Sequence, residues 1–249
     1  MKNQEFLFFS LLFFFSQTIF SQVQKAPDRF RGDGPHTQLI IRGITLINGN
    51  GAPPRGPIDI VVENNIIKSI NVVGYPGVEI DDSKRPQLKG GGKELNCEGM
   101  YLLPGFIDMH GHIGGKSQGA DAEYVFKLWM GHGITTIRDP SAGNGLDWVL
   151  EHKKRGAKNK ITAPRIVAYT AFGMGNNEPI STAEGAREWT RKNKANGADG
   201  IKFFGAAPEI MAAALDENKK LGLRSACHHA QMDVARWNVL KSARAGLTT

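Results

Sequence analysis

The chain has 249 residues, of which 41% are hydrophobic and 22% charged, so it is neither a disordered polyelectrolyte nor a protein with many membrane spans. Its net charge of +7 bears on association with acidic partners rather than on fold. Two cysteines in a chain of this length exclude a disulfide scaffold and a cysteine-rich zinc module. We therefore expect Cys97 and Cys227 to be packing residues.

The N-terminus begins with Lys2 and a phenylalanine-rich apolar run over 6–15. This run is too short for a bilayer span, which needs roughly 20 residues, and is typical of a secretory signal. We expect residues 1–21 to be a signal peptide, although a buried terminal strand or helix would share its composition. Export to the periplasm or the extracellular space would follow, with no stable membrane anchor after cleavage. Residues 22–36 are polar, contain Pro and Gly, and are predicted to be a linker.

A small β unit is predicted over residues 37–100. Runs rich in β-branched residues lie at 39–47, 58–62 and 66–73, separated by Asn-Gly and Asn-Asn turns. The glycines at 90–92 are not a phosphate-binding loop, because no Gly-Lys-Ser or Gly-Lys-Thr follows them.

Residues 101–249 alternate short apolar runs with amphipathic stretches of helical length, which predicts βαβ units and a parallel sheet. No Gly-x-Gly-x-x-Gly follows the first strand, so a TIM-like (β/α)8 barrel is favoured over a dinucleotide-binding sheet within the α/β class. Residues 246–249 are typical of the start of a sixth strand, so only about five of the eight units are present. The predicted strands are Tyr101–Asp108, Ile134–Arg138, Arg165–Tyr169, Gly200–Phe204 and Leu223–His229.

Several residues predict where the helices begin and end. Ser181 and Glu184 are predicted to form a capping box on the third helix. Pro208 suits the first position of the fourth helix, and Gly222 suits its C-terminal end. The fifth helix is predicted from apolar residues spaced three apart: Val234, Trp237 and Leu240.

His110 and His112 stand two residues apart at the predicted end of the first barrel strand. Side chains two apart on a strand share a face, and active sites of barrels lie at the carboxyl ends of the strands. Two convergent imidazoles form half of a site for zinc or a similar ion, and the small Gly111 between them avoids crowding. The His-x-His spacing is weak evidence by itself, because core packing also produces it.

Lys202 is a charged residue inside an apolar strand, where a buried ammonium is costly. If Ile201 and Phe203 face the helices, Lys202 faces the lumen with a lowered pKa. A neutral amine can add carbon dioxide, and the resulting carbamate can bridge two cations. The alternative is a lysine at a frayed strand end that reaches solvent. His228 and His229 close the fifth predicted strand, and periodicity does not choose between them.

These motifs resemble the amidohydrolase superfamily of metal-dependent hydrolases, in particular its imidazolonepropionase-like and Xaa-Pro dipeptidase-like branch. The resemblance runs in family order over about residues 37–249. It implies that the β unit is the first part of a β-sandwich domain and that the barrel follows it. The matching segments are Pro-Gly-Phe-Ile-Asp-Met-His-Gly-His (104–112), Gly-Ile-Thr-Thr-Ile-Arg-Asp (133–139), Gly-Ile-Lys (200–202) and His229-Ala230.

The resemblance implies a binuclear site for divalent metals, with zinc as the default ion. His110 and His112 would bind the more buried metal, and Lys202, as a carbamate, would bridge to the second. His229 would assist, because an Ala follows the family's ligand at this position and therefore selects it over His228. A bridging hydroxide would hydrolyse the carbon–nitrogen bond of a small amide, a cyclic amide or a dipeptide.

The family's remaining ligands, a His after the sixth strand and an Asp after the eighth, do not occur in this sequence. Because that Asp is also the proton carrier, we expect a C-terminally truncated chain that is inactive by itself. The alternatives are a deaminase or a phosphotriesterase on the same scaffold, and a non-catalytic exported barrel. Asp139 is expected to shape the mouth of the barrel. The basic run at 151–160 lacks interleaved aromatic residues, so no nucleic-acid partner is predicted.

Overall fold

A computed structural model describes residues 33–229 and 237–249, which form two β-sheets and their connecting helices. The predicted signal peptide lies outside these residues. The strands are β1 (Gln38–Leu46), β2 (Arg55–Glu63), β3 (Ile66–Val72), β4 (Lys93–Asn96), β5 (Tyr101–Leu102), β6 (Phe106–Asp108), β7 (Ile134–Asp139), β8 (Arg165–Ala171), β9 (Gly200–Phe203) and β10 (Arg224–Cys227). The α-helices are α1 (Ala122–Gly131), α2 (Leu146–Ala157), α3 (Ala183–Ala195), α4 (Pro208–Lys220) and α5 (Val239–Arg244).

The first sheet has the strand order β3-β2-β1-β4, and β5 also pairs with β1. β1, β2 and β3 pair antiparallel, whereas β4 and β5 run parallel to β1. Asn64 and Asn65 join β2 to β3 with φ angles of 51° and 65°, the left-handed backbone that a two-residue hairpin turn requires. The predicted β unit and its Asn-Asn turn are therefore present.

The predicted strand over Tyr101–Asp108 is wrong as a single element. Tyr101 pairs with Thr45 in the first sheet, whereas Phe106 pairs with Ile134 in the second. Pro104 lies between the two pieces, has no amide hydrogen to donate and restricts the residue before it. The chain therefore passes from one sheet to the other at this proline.

The second sheet is fully parallel, in the order β10-β9-β8-β7-β6. Helices connect successive strands, so the predicted βαβ series is confirmed and the sheet curls into a partial barrel. Ile201 and Phe203 of β9 pack into an apolar core with residues of α3 and α4, among them Trp189 and Leu215. A second core joins α1 and α2 to β7 and β8.

The residues after α5 return to the edge of the second sheet beside β10, where the sequence predicts the start of a sixth strand, and they are hydrogen-bonded there without regular strand structure. The Thr249 amide donates to the Ser225 carbonyl oxygen at 3.1 Å, and the Cys227 amide donates to the Thr249 carbonyl oxygen at 3.0 Å. Cys227 packs against the core beside α4, and Cys97 packs against the core of the first sheet. Both cysteines thus have the packing role expected of them. Among the described residues, no helix is long and apolar enough to cross a membrane.

The ends of α4 agree with the prediction, but the start of α3 does not. Pro208 is the first residue of α4, and Gly222, with φ of 67°, follows its C-terminal cap. At α3 the predicted capping box of Ser181 and Glu184 is wrong by one residue, because Thr182 caps the helix. The predicted helix through Val234 lies largely outside the described residues, which resume at residue 237.

Replacing Thr182 with alanine is expected to lower the free energy of unfolding by about 1 kcal/mol. The Thr182 hydroxyl accepts a hydrogen bond from the Gly185 amide at 3.0 Å, and the variant leaves that amide without its cap. Urea unfolding followed by circular dichroism measures the change. Ser181→Ala is the matched control and should change the free energy by less than about 0.5 kcal/mol. A larger loss in the free energy of unfolding for Ser181→Ala would indicate that Ser181 caps the helix, as the predicted capping box requires.

Candidate active site

His110 and His112 lie beyond the carboxyl end of β6, which stops at Asp108. They lie at the carboxyl end of the strand, as predicted, but the backbone is irregular from residue 109 onward, so strand alternation does not determine where the two rings point. The two rings nevertheless come together, with their centroids 5.4 Å apart and their planes at 73°. Both side chains are exposed, so a ligand can reach the pair from the carboxyl end of the sheet.

Gly111 allows the His110–His112 segment to pass close to α1. A Cβ atom at this position would lie 2.9 Å from Cζ2 of Trp129, closer than real Cβ contacts allow. The Gly111 amide also donates to the carbonyl oxygen of Arg138 at 3.0 Å. The glycine predicted to relieve crowding between the rings is instead required by the tryptophan behind them.

Lys202 is buried on β9, with 4% of its surface exposed. Its neighbours Ile201 and Phe203 lie in the helix-side core, so the lysine points to the opposite face, as alternation predicts. The register places Ala171 and Ala226 beside it on the adjacent strands. Both of these side chains are small, and the amine nitrogen of Lys202 lies 5.4 Å from the centre of the Phe204 ring.

The electrostatics of this region favour the neutral forms of the Lys202 and His110 side chains. Burial lowers the pKa of Lys202; the thiol of Cys227 opposes this shift, and the positive charge of Arg138 adds to it. Partial burial also lowers the pKa of His110, and the charges of Lys202 and His112 add to that effect. A neutral imidazole is the form that binds a metal, and a neutral amine is the form that adds carbon dioxide.

His228 and His229 follow the end of β10 at Cys227. His229 Nε2 lies 2.9 Å from the hydroxyl oxygen of Ser242 on α5, and the exposed His228 ring lies 6.2 Å from the Phe204 ring. Ala230, which selects His229 in the family pattern, lies outside the described residues. Within 33–229 and 237–249, no three His, Cys, Asp or Glu side chains form a group that could hold a metal.

Arg138 is the residue near the site that the sequence analysis missed, whereas Asp139, expected at the mouth of the barrel, ends β7. Arg138 is only 7% exposed; its Nε donates to the Met109 carbonyl oxygen at 2.6 Å, and its Nη1 donates to the Thr249 hydroxyl at 2.8 Å. Asp139 is buried beside it and accepts hydrogen bonds from the amides of Ser141 and Ala142. Burial raises the pKa of the Asp139 carboxyl. A charged residue within a predicted strand is the signal that identifies Lys202, and Arg138 carries the same signal.

No family model matches the chain. Adenine deaminase 2 of Desulfotalea psychrophila is 39% identical over 87 residues, which are 32% of this chain and 15% of that protein. The crystal structure of a prolidase complexed with N-methylphosphonate-L-proline matches with a TM-score of 0.63 and 16% identity, over 85% of this chain and 60% of that one. The crystal structure of an amidohydrolase matches with a TM-score of 0.59 and 16% identity, over the same two shares.

The resemblance to the amidohydrolase superfamily is confirmed at the level of the fold. The chain carries part of the (β/α) barrel of these enzymes together with a small β domain. It spans 60% of the length of the two solved chains and a much smaller share of the curated relative.

Proposed function

We propose that the protein is a metal-dependent hydrolase of carbon–nitrogen bonds, acting on amides, cyclic amides or dipeptides. The observation that carries this proposal is the convergence of the His110 and His112 rings at the carboxyl end of a partial barrel. Lys202 supports it, since it is buried, faces away from the helices and acts electrostatically on His110. The names of the two similar solved structures, a prolidase and an amidohydrolase, agree with this class.

The described donors fit half of such a metal site. His110 and His112 would hold one divalent cation. Zinc fits this pair, because imidazole nitrogen is one of its preferred ligands. Lys202, as its carbamate, and His229 would hold a second. When bound, the cations would polarise the substrate carbonyl and supply an activated water.

Lys202 reaches its ligand form by a reaction of its own side chain. The neutral amine nitrogen forms a bond to the carbon of carbon dioxide and loses one proton to solvent, which leaves an anionic carbamate. Burial favours the starting amine because it disfavours the ammonium. The neighbours of Lys202 on the adjacent strands, Ala171 and Ala226, are small.

Deamination is the second candidate function, because the curated relative is an adenine deaminase. Both reactions break a carbon–nitrogen bond with water. A deaminase releases ammonia from a purine ring, whereas an amidohydrolase releases a carboxylate and an amine. Product analysis with adenine and with N-acyl amino acids distinguishes the two.

We also propose that the protein is exported and acts on a small-molecule substrate outside the cytoplasm. This proposal rests on the apolar run over 6–15 and the cleavage position after Ser21. N-terminal sequencing of protein recovered from the periplasm or the medium tests it. A mature chain that begins at Gln22 would support export, and a cytoplasmic chain that retains Met1 would contradict it.

Replacing His110 and His112 together by alanine is expected to remove the bound metal. In the parent, His110 and His112 supply the convergent imidazoles at the end of β6, so the double variant should lose the metal at this site completely. Metal content of protein purified with added zinc measures it. His36→Ala is the control, because His36 lies near Asp33 at the start of the first sheet. Equal zinc in the parent and the double variant would contradict the proposed function.

A further inference from the structure

Arg138 contacts the backbone on both sides of His110. Its Nε donates to the carbonyl oxygen of Met109 at 2.6 Å, and its own carbonyl oxygen accepts from the amide of Gly111 at 3.0 Å. The residues before and after the histidine are therefore both held by one residue of β7. The loop that carries the two imidazoles has no regular hydrogen bonding of its own, so these contacts fix its path.

The other end of the guanidinium is fixed as well. Nη1 donates to the Thr249 hydroxyl at 2.8 Å, and the central carbon lies 5.1 Å from the centre of the Tyr169 ring. The side chain is thus held from β8 and from the start of the sixth strand. A planar, buried guanidinium with partners at both ends is rigid, and lysine cannot reproduce its two separate donors.

We infer that Arg138 is a positioning residue, which sets the distance and angle between the His110 and His112 rings for a divalent cation. This inference rests on the proposed function. Groups that orient metal ligands typically change metal affinity about 10- to 100-fold when they are replaced. Arg138 does so through the backbone of the loop, without itself being a ligand.

Cobalt titration of the 249-residue protein, followed by visible absorption, tests the inference. Arg138→Lys keeps the positive charge and is expected to weaken Co²⁺ binding about 10- to 100-fold and to alter the absorption band. Thr249→Val, which removes the acceptor of Nη1, should weaken it by a smaller factor. Arg165→Lys is the matched control, because Arg165 is exposed at the opposite end of β8, and it should bind like the parent.

The outcomes separate this inference from the proposed function. Cobalt binding lost in His112→Ala but unchanged in folded Arg138→Lys and Thr249→Val would overturn the role of Arg138 alone. Binding that survives His112→Ala unchanged would overturn the metal site and the inference together. A merely structural arginine would lower the melting temperature of the metal-free protein and leave the affinity and spectrum of the folded fraction unchanged, which would also overturn the inference.

Discussion

Lys202→Met is expected to lower the turnover of a catalytically active form of this protein by at least about 100-fold. Lewis-acid polarisation by a metal is worth several kcal/mol, and each ~1.4 kcal/mol is a factor of ten in rate. Without the amine no carbamate forms, so the proposed second cation would lose its bridging ligand. Initial rates on an amide substrate and the zinc-to-protein ratio measure the two effects.

The same substitution is expected to raise the free energy of unfolding by about 1–2 kcal/mol, since it removes a buried polar amine whose charged form burial disfavours. The lysine is 4% exposed and its folded pKa is lowered, so the folded state releases a proton before the unfolded state does. Stability of the parent therefore rises as pH increases toward the ordinary lysine pKa. The difference in the free energy of unfolding between Lys202→Met and the parent should therefore decrease over that pH range.

The exposed Lys219 of α4 provides the control for both measurements. Lys219→Met should leave turnover, metal content and the pH dependence of unfolding unchanged. Full turnover in Lys202→Met would contradict the bridging role. An unchanged or lower free energy of unfolding would contradict the account of the buried amine.

Asp59→Asn is expected to lower the free energy of unfolding by about 3 kcal/mol, a typical cost of breaking a buried ion pair. The Asp59 side chain is fully buried and accepts hydrogen bonds from Arg42 at 2.9 Å, from Arg85 at 3.0 Å and from the Gly43 amide at 2.8 Å. An amide in its place removes the buried negative charge that both guanidinium groups share, and leaves them only the more exposed carboxylates of Glu94, Asp82 and Glu98. Urea unfolding followed by far-ultraviolet circular dichroism measures the loss.

The contribution of Asp59 also depends on pH. Burial opposes ionisation of the carboxyl, but the hydrogen bonds from Arg85 and Arg42 outweigh it and hold its pKa below the ordinary value. The unfolded chain therefore binds the proton more readily, and stability falls as pH drops below about 4. The acid sensitivity should be weaker in Asp59→Asn.

Asp82→Asn is the control for this ion-pair network. Its carboxylate is 88% exposed and lies 3.6 Å from Nη1 of Arg85, so its loss should cost less than about 0.5 kcal/mol. Similar losses in the free energy of unfolding for Asp59→Asn and Asp82→Asn would contradict the prediction that burial makes the Asp59 ion pairs the more stabilising ones.

The sequence predicted the parallel sheet because its signals are local. Apolar strands and amphipathic helices alternate along the chain, and Ile201 and Phe203 on either side of Lys202 determine which way the lysine points. The start of a sixth strand was predictable for the same reason. These features need no knowledge of distant contacts.

The features that the sequence did not predict depend on contacts between distant segments of the chain. The run from Tyr101 to Asp108 is mostly apolar and is interrupted by Pro104, but only the pairing of its two halves, with Thr45 and with residues of β7, shows that they belong to different sheets. The two contacts of Arg138 around His110 are likewise invisible in a linear pattern. Adjacent histidines at the end of β10 cannot be ranked by periodicity, because they point in opposite directions.

The proposed function depends on the binding of one divalent cation by His110 and His112 together. X-ray absorption at the zinc edge of the zinc-loaded protein measures this binding. We expect two imidazole nitrogens at about 2.0–2.1 Å from the metal in the parent and one in His112→Ala. A spectrum without imidazole scattering, or one that His112→Ala leaves unchanged, would contradict it.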